Sequence, residues 1–391
     1  MNNIVAFDRN KDTQNFTNEI RNAHHLIEQA QPSLPTYLLD LDHIAGQARI
    51  FLNNFDGTTM FAVKTNPCPQ VIDALYRSGV QAFDVTSIPE IELVKSIAPD
   101  ADLYFMHTIK APEAIRAAYF DYGIRRFSLD HMDELEKILN NTNNAQDLEL
   151  FVRTALPRND DASIDLSCKF GALPDEAIPL LQKTREHAQK LGICFHVGTQ
   201  TSNAASYGNA INIIKALIKN SGISIEMLDI GGGFPVPYEG EDVPSIENCL
   251  DVVKTALHHA DLDHLELLAE PGRCLVAQGG ALIVRVELRK GDLLYLNDGT
   301  YGGLFDAGPM LKTPFPVEGH RVHSTFDEQL SAFSFAGPTC DSLDMMEGPF
   351  MLPADIRTGD WIEIKNTGAY SQSLRTDFNG FGTAHTVFIS R

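Results

Sequence analysis

The sequence is short of positive charge, of paired cysteines and of long apolar runs, and each shortage removes a class of function. Lys and Arg number 31 against 52 Asp and Glu, a formal net charge of −21. So acidic a chain is a poor partner for nucleic acid or an anionic membrane surface, whereas a cationic small molecule suits it. Six cysteines, at positions 68, 168, 194, 249, 274 and 340, are scattered without a CxxC pair. That pattern reads as reduced thiols in a cytoplasmic protein, not as a disulfide frame or a zinc site, so no metal is expected. No run approaches the about 18 apolar residues that a membrane-spanning helix needs. Met1 to Thr13 is polar and charged with no apolar core, so a secretory signal is not expected.

What is present is a chain of 391 residues, 43% hydrophobic, enough for a large domain and a smaller one. Its most pointed stretch is Asp229-Ile230-Gly231-Gly232-Gly233-Phe234-Pro235. The apolar run Ile223 to Ile230 reads as a buried strand and stops at three glycines. With no Cβ there, backbone N–H groups can close on an anion such as a phosphate, although a flexible turn has the same composition.

Around that stretch the pattern alternates. Strands are expected at Thr59–Lys64, Gln81–Thr86, Asp102–His107, Arg126–Asp130, Leu148–Thr154, Ile193–Gly198, Ile225–Ile230 and Leu265–Glu270, the first seven each followed by a helical segment. Eight strands alternating with helices predict an α/β fold, a (β/α)8 TIM-like barrel over residues 41–278; an open doubly wound sheet is the alternative. An amphipathic stretch, Phe16 to Ala30, precedes it. Beyond Ala277 the texture changes to strands joined by turns rich in Gly, Pro and Asp, at Leu282–Leu288, Leu293–Leu296, Ala332–Phe335, Trp361–Lys365 and Thr386–Ile389. Residues 279–391 are therefore expected to form a mostly β domain, which residues 1–40 join through a strand near Tyr37.

Barrels carry their chemistry at the C-terminal ends of their strands. Those ends here are Lys64, Asp84, His107, Asp130, Arg153, His196, the Gly231–Gly233 loop, and Glu270 with Arg273. A lysine leaving an apolar strand is partly desolvated and can offer a neutral amine to an aldehyde; a surface lysine looks the same from this stretch alone. Glu270 and Arg273 sit around a turn, where the carboxylate can hold a pyridine nitrogen protonated and the guanidinium can bind phosphate. His196 can stack on a planar ring, and Thr199 can donate to a phosphate. Cys340 beside Asp341 offers a proton donor next to a cation-binding carboxylate, or simply a capped turn.

Taken together, AVKTN at 62–66, FDV at 83–85, HVGTQ at 196–200, DIGGGFP at 229–235, EPGR at 270–273, GPTCDSLD at 337–344 and GAY at 368–370 resemble the pyridoxal-phosphate-dependent decarboxylases with an alanine-racemase-like barrel. That family contains the ornithine, lysine, arginine and diaminopimelate decarboxylases, and the resemblance, greatest to the ornithine enzymes, runs from about Pro35 to Phe381. It implies that Lys64 holds pyridoxal 5′-phosphate covalently, that His196 stacks on its ring and that Glu270 meets the ring nitrogen. It implies that Gly231, Gly232, Gly233, Gly272, Arg273, Tyr370 and Thr199 hold the phosphate, with Asp84 and Arg153 at further cofactor positions. Cys340 then resembles the proton donor to the carbanion, and Asp341, with Tyr301 and Asp306, the group that receives the distal ammonium of a basic amino acid. The family places Cys340 and Asp341 in the partner subunit's site, so a homodimer with shared active sites is implied. The expected reaction is L-ornithine to putrescine, in polyamine biosynthesis, with lysine to cadaverine alongside. A diaminopimelate or arginine decarboxylase, an amino-acid racemase on the same fold and a non-catalytic relative are the alternatives. Racemases generally face the pyridine nitrogen with an arginine, and the non-catalytic relatives tend to lack cofactor-binding residues; Glu270 argues against the first, and Lys64, Glu270, Arg273 and Cys340 together against the second.

Overall fold

The structure, a computed structural model, describes residues 20–164 and 168–389. The chain divides into two compact units, one running from His43 to Ala277 and the other taking the residues up to Asp42 together with Gln278 onward. Phe16 to Glu19 of the expected amphipathic stretch lie outside the described residues; the helix there is Ala23–Ala30, capped by the Asn22 side chain.

His43–Ala277 is a closed barrel of eight parallel strands in chain order: Thr58–Ala62, Ala82–Val85, Asp102–Phe105, Arg126–Leu129, Glu149–Arg153, Lys190–Cys194, Met227–Asp229 and Glu266–Ala269. The eighth closes on the first through Leu268 opposite Thr58. The strands are apolar because helices cover their outer faces while side chains fill the lumen. Strand parity sorts the lumen into layers. The floor is charged: Arg126 bonds Asp102 at 2.8 Å and Glu149 at 3.0 Å, and Lys190 bonds Glu266 at 2.7 Å. Above it Met60, Ala82, Tyr104, Phe151, Met227 and Leu268 pack as a dry layer. Gly192 makes room in that layer, since a Cβ on it would stand 2.6 Å from the Phe151 ring. Two residues further along the strands the lumen is polar again, and that layer is the barrel mouth.

Two details differ from the sequence expectation. Lys64 leaves its strand and sits in a 3-10 turn, Val63–Thr65. The sixth strand is Lys190–Cys194, not Ile193–Gly198. Gly198 has φ of +101°, which takes the chain out of extended geometry just beyond His196.

The second unit is an eight-stranded sheet in which Thr36–Asp40 lies antiparallel to Gly280–Lys290 and parallel to His385–Ile389. It contains two strands absent from the expectation, Val317–His320 and Met345–Pro353. Its core includes Leu26, Ile27, Leu38 and Ile283. Behind the Gly299–Gly303 turn is a buried polar knot, in which Arg375 bonds Asp298 and Ser371 donates to the Gly303 carbonyl at 2.6 Å.

Candidate active site

The mouth layer gathers most of the barrel residues singled out from the sequence. Lys64 Nζ donates to Asp84 Oδ2 at 2.9 Å; Asp84 is buried while the lysine keeps 45% of its side chain exposed. A buried carboxylate thus steers an accessible amine. The Ala62 amide donates to the Pro271 carbonyl at 3.2 Å, tying the Lys64 turn to Glu270-Pro271-Gly272-Arg273. Gly272 is required there, because a Cβ would lie 2.3 Å from Thr65 Oγ1.

The glycine loop is pressed between two neighbouring segments. Gly231 and Gly233 have φ of +69° and +96°. A Cβ on Gly231 would lie 2.2 Å from the Phe195 carbonyl oxygen, and one on Gly233 2.2 Å from that of Gly198. A Cβ on Gly232 would lie 2.6 Å from the Glu270 carbonyl oxygen and 3.3 Å from His196 Nε2. Neither the backbone angles nor the space admit another residue.

His196 Nδ1 accepts the Gly198 amide at 3.0 Å, which leaves the ring proton on Nε2. Burial, with Arg153 and Lys64 adding to it, pushes the imidazole down to about 3, so the ring is neutral. Glu270 is pushed well up by burial first and then by Asp229 and Asp84. Asp229, itself raised by burial, accepts the Gly231 amide at Oδ1, 2.8 Å away.

Arg153 lies over the Phe170 ring at 5.2 Å, and His107 meets the same ring edge-on at 5.6 Å. Asp130 accepts the Gly171 amide at 2.9 Å and so secures the segment that carries Phe170. Thr199 opens a short strand paired with Ala162–Ile164. Arg273 is buried, with Nη1 donating to the Tyr238 hydroxyl at 2.7 Å.

Some supports escaped the sequence reading. The Tyr207 hydroxyl donates to the Gly232 carbonyl at 3.1 Å while its ring stacks on Phe234 at 5.0 Å, bracing the loop from below. Gln200 exchanges two hydrogen bonds with the Val236 backbone, each 2.8 Å, so the HVGTQ and DIGGGFP segments are clamped together. Gln200 was legible as a motif member; Tyr207, on the following helix, carried no signal.

The second unit holds the remaining candidates. The Tyr301 hydroxyl donates to Asp341 Oδ2 at 2.8 Å and its ring packs against Phe378 at 4.7 Å. Asp341 is held below the usual carboxylate range by the Leu343 amide and the Tyr301 hydroxyl. Cys340 is exposed, and both its amide and its thiol reach Asn379 Oδ1 at 3.2 Å. The loop is organised by a residue not singled out before. Buried Asp344 accepts from Thr300 N at 2.7 Å, Thr300 Oγ1 at 3.1 Å, Thr339 N at 3.0 Å and Thr339 Oγ1 at 2.7 Å. Asp306 is buried, 4% exposed, whereas Asp341 carries the Tyr301 contact at the surface. Tyr370 adopts φ of +52°.

The model of a family described as pyridoxal-dependent decarboxylase, pyridoxal binding domain, matches residues 41–277. The lysine/ornithine decarboxylase of Selenomonas ruminantium is 31% identical over 345 residues, 84% of this chain and 82% of that protein. The lysine/ornithine decarboxylase of Vibrio vulnificus, solved with cadaverine, superposes with a TM-score of 0.80 at 31% identity over 95% of this chain and 100% of that one. The arginine decarboxylase of Paramecium bursaria Chlorella virus superposes with a TM-score of 0.82 at 26% identity over 93% and 98%. The barrel mouth suits the cofactor these proteins share: a glycine cradle that any Cβ would fill, an exposed amine steered by a buried carboxylate, and a carboxyl group beside a neutral ring. The chain belongs to the pyridoxal-dependent decarboxylase family and is a pyridoxal-phosphate-dependent amino-acid decarboxylase.

Proposed function

We propose that the chain decarboxylates a basic amino acid, L-ornithine to putrescine first and lysine to cadaverine second, in polyamine biosynthesis. The observation that carries this choice is Asp341, a half-buried carboxylate held below its usual range and aimed by Tyr301. With Oδ2 taken by the Tyr301 hydroxyl and Oδ1 by the Leu343 amide, Asp341 offers no free bidentate face to a guanidinium, and its charge repels the distal carboxylate of diaminopimelate, so a single distal ammonium suits it best. The cadaverine found on the similar Vibrio protein supports the same substrate class.

Pyridoxal phosphate, when bound, supplies the electron sink for the bond to the departing carboxylate. The chain's own residues do the rest. Lys64 would hold the cofactor through its amine, which Asp84 keeps in position. Neutral His196 covers one ring face without adding charge. Glu270 would face the ring nitrogen and supply the carboxyl group that keeps it protonated. Gly231, Gly232, Gly233 and Gly272 leave room for the phosphate, with Arg273, Thr199 and Tyr370 as further partners and Arg153 at the mouth. Cys340 Sγ returns a proton to the α-carbon, and Asp341, with Tyr301, takes the distal ammonium. The reading includes a homodimer in which Cys340 and Asp341 complete a partner's site. Exposed Leu343, Phe378 and Phe381 near them suit a protein surface. A cytoplasmic setting agrees with six free cysteines, and among the described residues no helix is long and apolar enough to cross a membrane.

Carbon dioxide release measured across L- and D-ornithine, L-lysine, L-arginine and meso-diaminopimelate tests the reading. L-ornithine should give the highest kcat/KM. A preference for arginine or diaminopimelate would overturn the substrate assignment. Asp341→Ala should raise KM for ornithine at least tenfold, about 1.4 kcal/mol of lost contact; an unchanged KM would remove Asp341 from the substrate site.

A further inference from the structure

Asp229 stands opposite Leu268, two residues before Glu270, on the neighbouring strand. The Glu270 amide donates to the Gly231 carbonyl at 2.8 Å, so the pairing continues past the strand ends. Met227 and Leu268 both pack in the barrel lumen. By strand parity Asp229 and Glu270, each two residues further on, point into the lumen at its mouth. Asp229 spends Oδ1 on the Gly231 amide. Its Oδ2 is buried, and among the described residues no N–H or hydroxyl reaches it. Strand parity and the Glu270–Gly231 backbone bond turn the Glu270 carboxyl group toward it, and each carboxyl group perturbs the other.

The charges around this pair decide its state. Asp84, on the second strand, already holds the Lys64 ammonium. Arg153 enters from the fifth strand. His196 is neutral, and Cys194, buried against Ser128, remains a thiol. The charged groups that act on the pair are therefore Asp84, Lys64 and Arg153, two cations for three carboxyl groups with the pair included. Two carboxylates in contact inside a protein do not both stay ionised, and one proton between them removes the conflict.

We propose that Asp229 and Glu270 share one proton across a carboxyl–carboxylate hydrogen bond, which makes Asp229 the positioning residue that sets the charge on Glu270. The consequence for catalysis rests on the reading that Glu270 meets the ring nitrogen. A nitrogen seated there finds a proton in place: the O–H bond breaks, the N–H bond forms, and Glu270 is left anionic beside a cation. No proton then has to come from solvent. Glycine at 231 serves the same device, since its amide occupies the other oxygen of Asp229.

The test uses the full chain freed of cofactor. Infrared spectra in H2O and D2O near neutral pH should contain a protonated-carboxyl band, shifting on deuteration, that disappears in both D229N and E270Q. Unfolding followed against pH gives a second readout. An acid whose folded pKa is raised contributes stability at low pH and loses it as pH rises through that value. The unfolding equilibrium constant of the wild type should therefore climb more steeply above about pH 4, where the unfolded carboxyl group ionises, than that of either variant, by up to about tenfold per pH unit. If D229N does not fold, E270Q gives the same two readouts with Asp229 still bonded to Gly231. A wild type without the band, a band that survives both substitutions, or parallel pH slopes would overturn the shared proton. A band that behaves as stated, with E270Q retaining full turnover, would keep the pair and sink only the ring-nitrogen role.

Discussion

The sharpest test of the site is a comparison of two glycines. Gly231 and Gly222 have nearly the same backbone, φ of +69° and +66°, but different surroundings. Gly222 ends the helix Ala205–Ser221, and a Cβ there would meet nothing within 4 Å. On Gly231 it would stand 2.2 Å from the Phe195 carbonyl oxygen and 3.2 Å from His196 Cα. The left-handed backbone costs an alanine about 1–2 kcal/mol at either place. Gly231→Ala must in addition push the Phe195 carbonyl away by roughly an ångström, an overpacking cost of about 1–3 kcal/mol. The expected losses are therefore ~1–2 kcal/mol for Gly222→Ala and ~2–5 kcal/mol for Gly231→Ala. Urea unfolding of the cofactor-free protein measures both. Because the displaced atoms belong to Phe195 and His196, Gly231→Ala should also weaken pyridoxal phosphate binding, followed by its absorbance, whereas Gly222→Ala should not. Two variants within about 0.5 kcal/mol of each other, with equal cofactor affinity, would refute the argument that close approach dictates this glycine.

Lys110 is a buried tether: its Nζ donates to the carbonyls of His107 at 2.9 Å, Thr108 at 3.3 Å and Ser128 at 2.5 Å, and pairs with Glu134 at 3.1 Å. Lys110→Met should cost about 3–5 kcal/mol in urea unfolding, because three carbonyls lose a charged donor and buried Glu134 is left, among the described residues, with Lys137 as its one lysine; a loss under about 1 kcal/mol would show the pair to be dispensable. Cys340→Ala should slow diamine release by about 10²–10⁴-fold and divert protonation of the α-carbon; product analysis showing unchanged partitioning would exclude the thiol. For His196, the unfolded chain takes up a proton near 6.5 that the folded protein refuses until about 3, so stability is present above 6.5 and is lost as pH falls below it. His196→Gln should flatten the acid limb of the unfolding curve by up to about 1.4 kcal/mol per pH unit, and coincident acid limbs would contradict a neutral ring.

All eight barrel strands were legible because strands covered by helices on the outside read as short apolar runs. The misplaced edges have local causes. Lys190 and Gly192 begin the sixth strand although neither is apolar, the first serving the charged floor and the second yielding space to Phe151. In the second unit, Val317–His320 was hidden by Glu318, Gly319 and His320, whose polarity is that of a sheet edge. Met345–Pro353 was hidden by Gly348-Pro349, which reads as a turn yet lies within a strand that continues past it. The site divides in the same way. Lys64, Glu270 and the glycines stand at strand ends, where composition alone attracts notice. Cys340 and Asp341 lie in a turn, where a thiol beside a carboxylate read equally as a capped turn until the motif resemblance gave them roles. Asp344 was legible only as the last letter of GPTCDSLD, since two of its four donors belong to Thr300, remote in sequence.

Asp229 belongs to neither group, and it shows what a motif conceals. As the first letter of Asp-Ile-Gly-Gly-Gly it reads as the polar end of a strand. In the barrel its parity is that of Met227 and Leu268, so it faces inward where an outward carboxylate would simply meet water. Burying a charge there is costly unless a partner compensates it, and a single backbone amide is a small return. Its second oxygen is explicable only with a proton on one of the two carboxyl groups. The aspartate, the glycine that follows it by two and the glutamate across the strand thus form one unit, in which the amide fixes the geometry and the shared proton fixes the charge. Substituting any one of the three should alter the ionisation of the carboxyl groups that remain at the mouth, and a Gly231→Ala protein whose carboxyl band is identical to wild type would separate the backbone from the proton and break that unit apart.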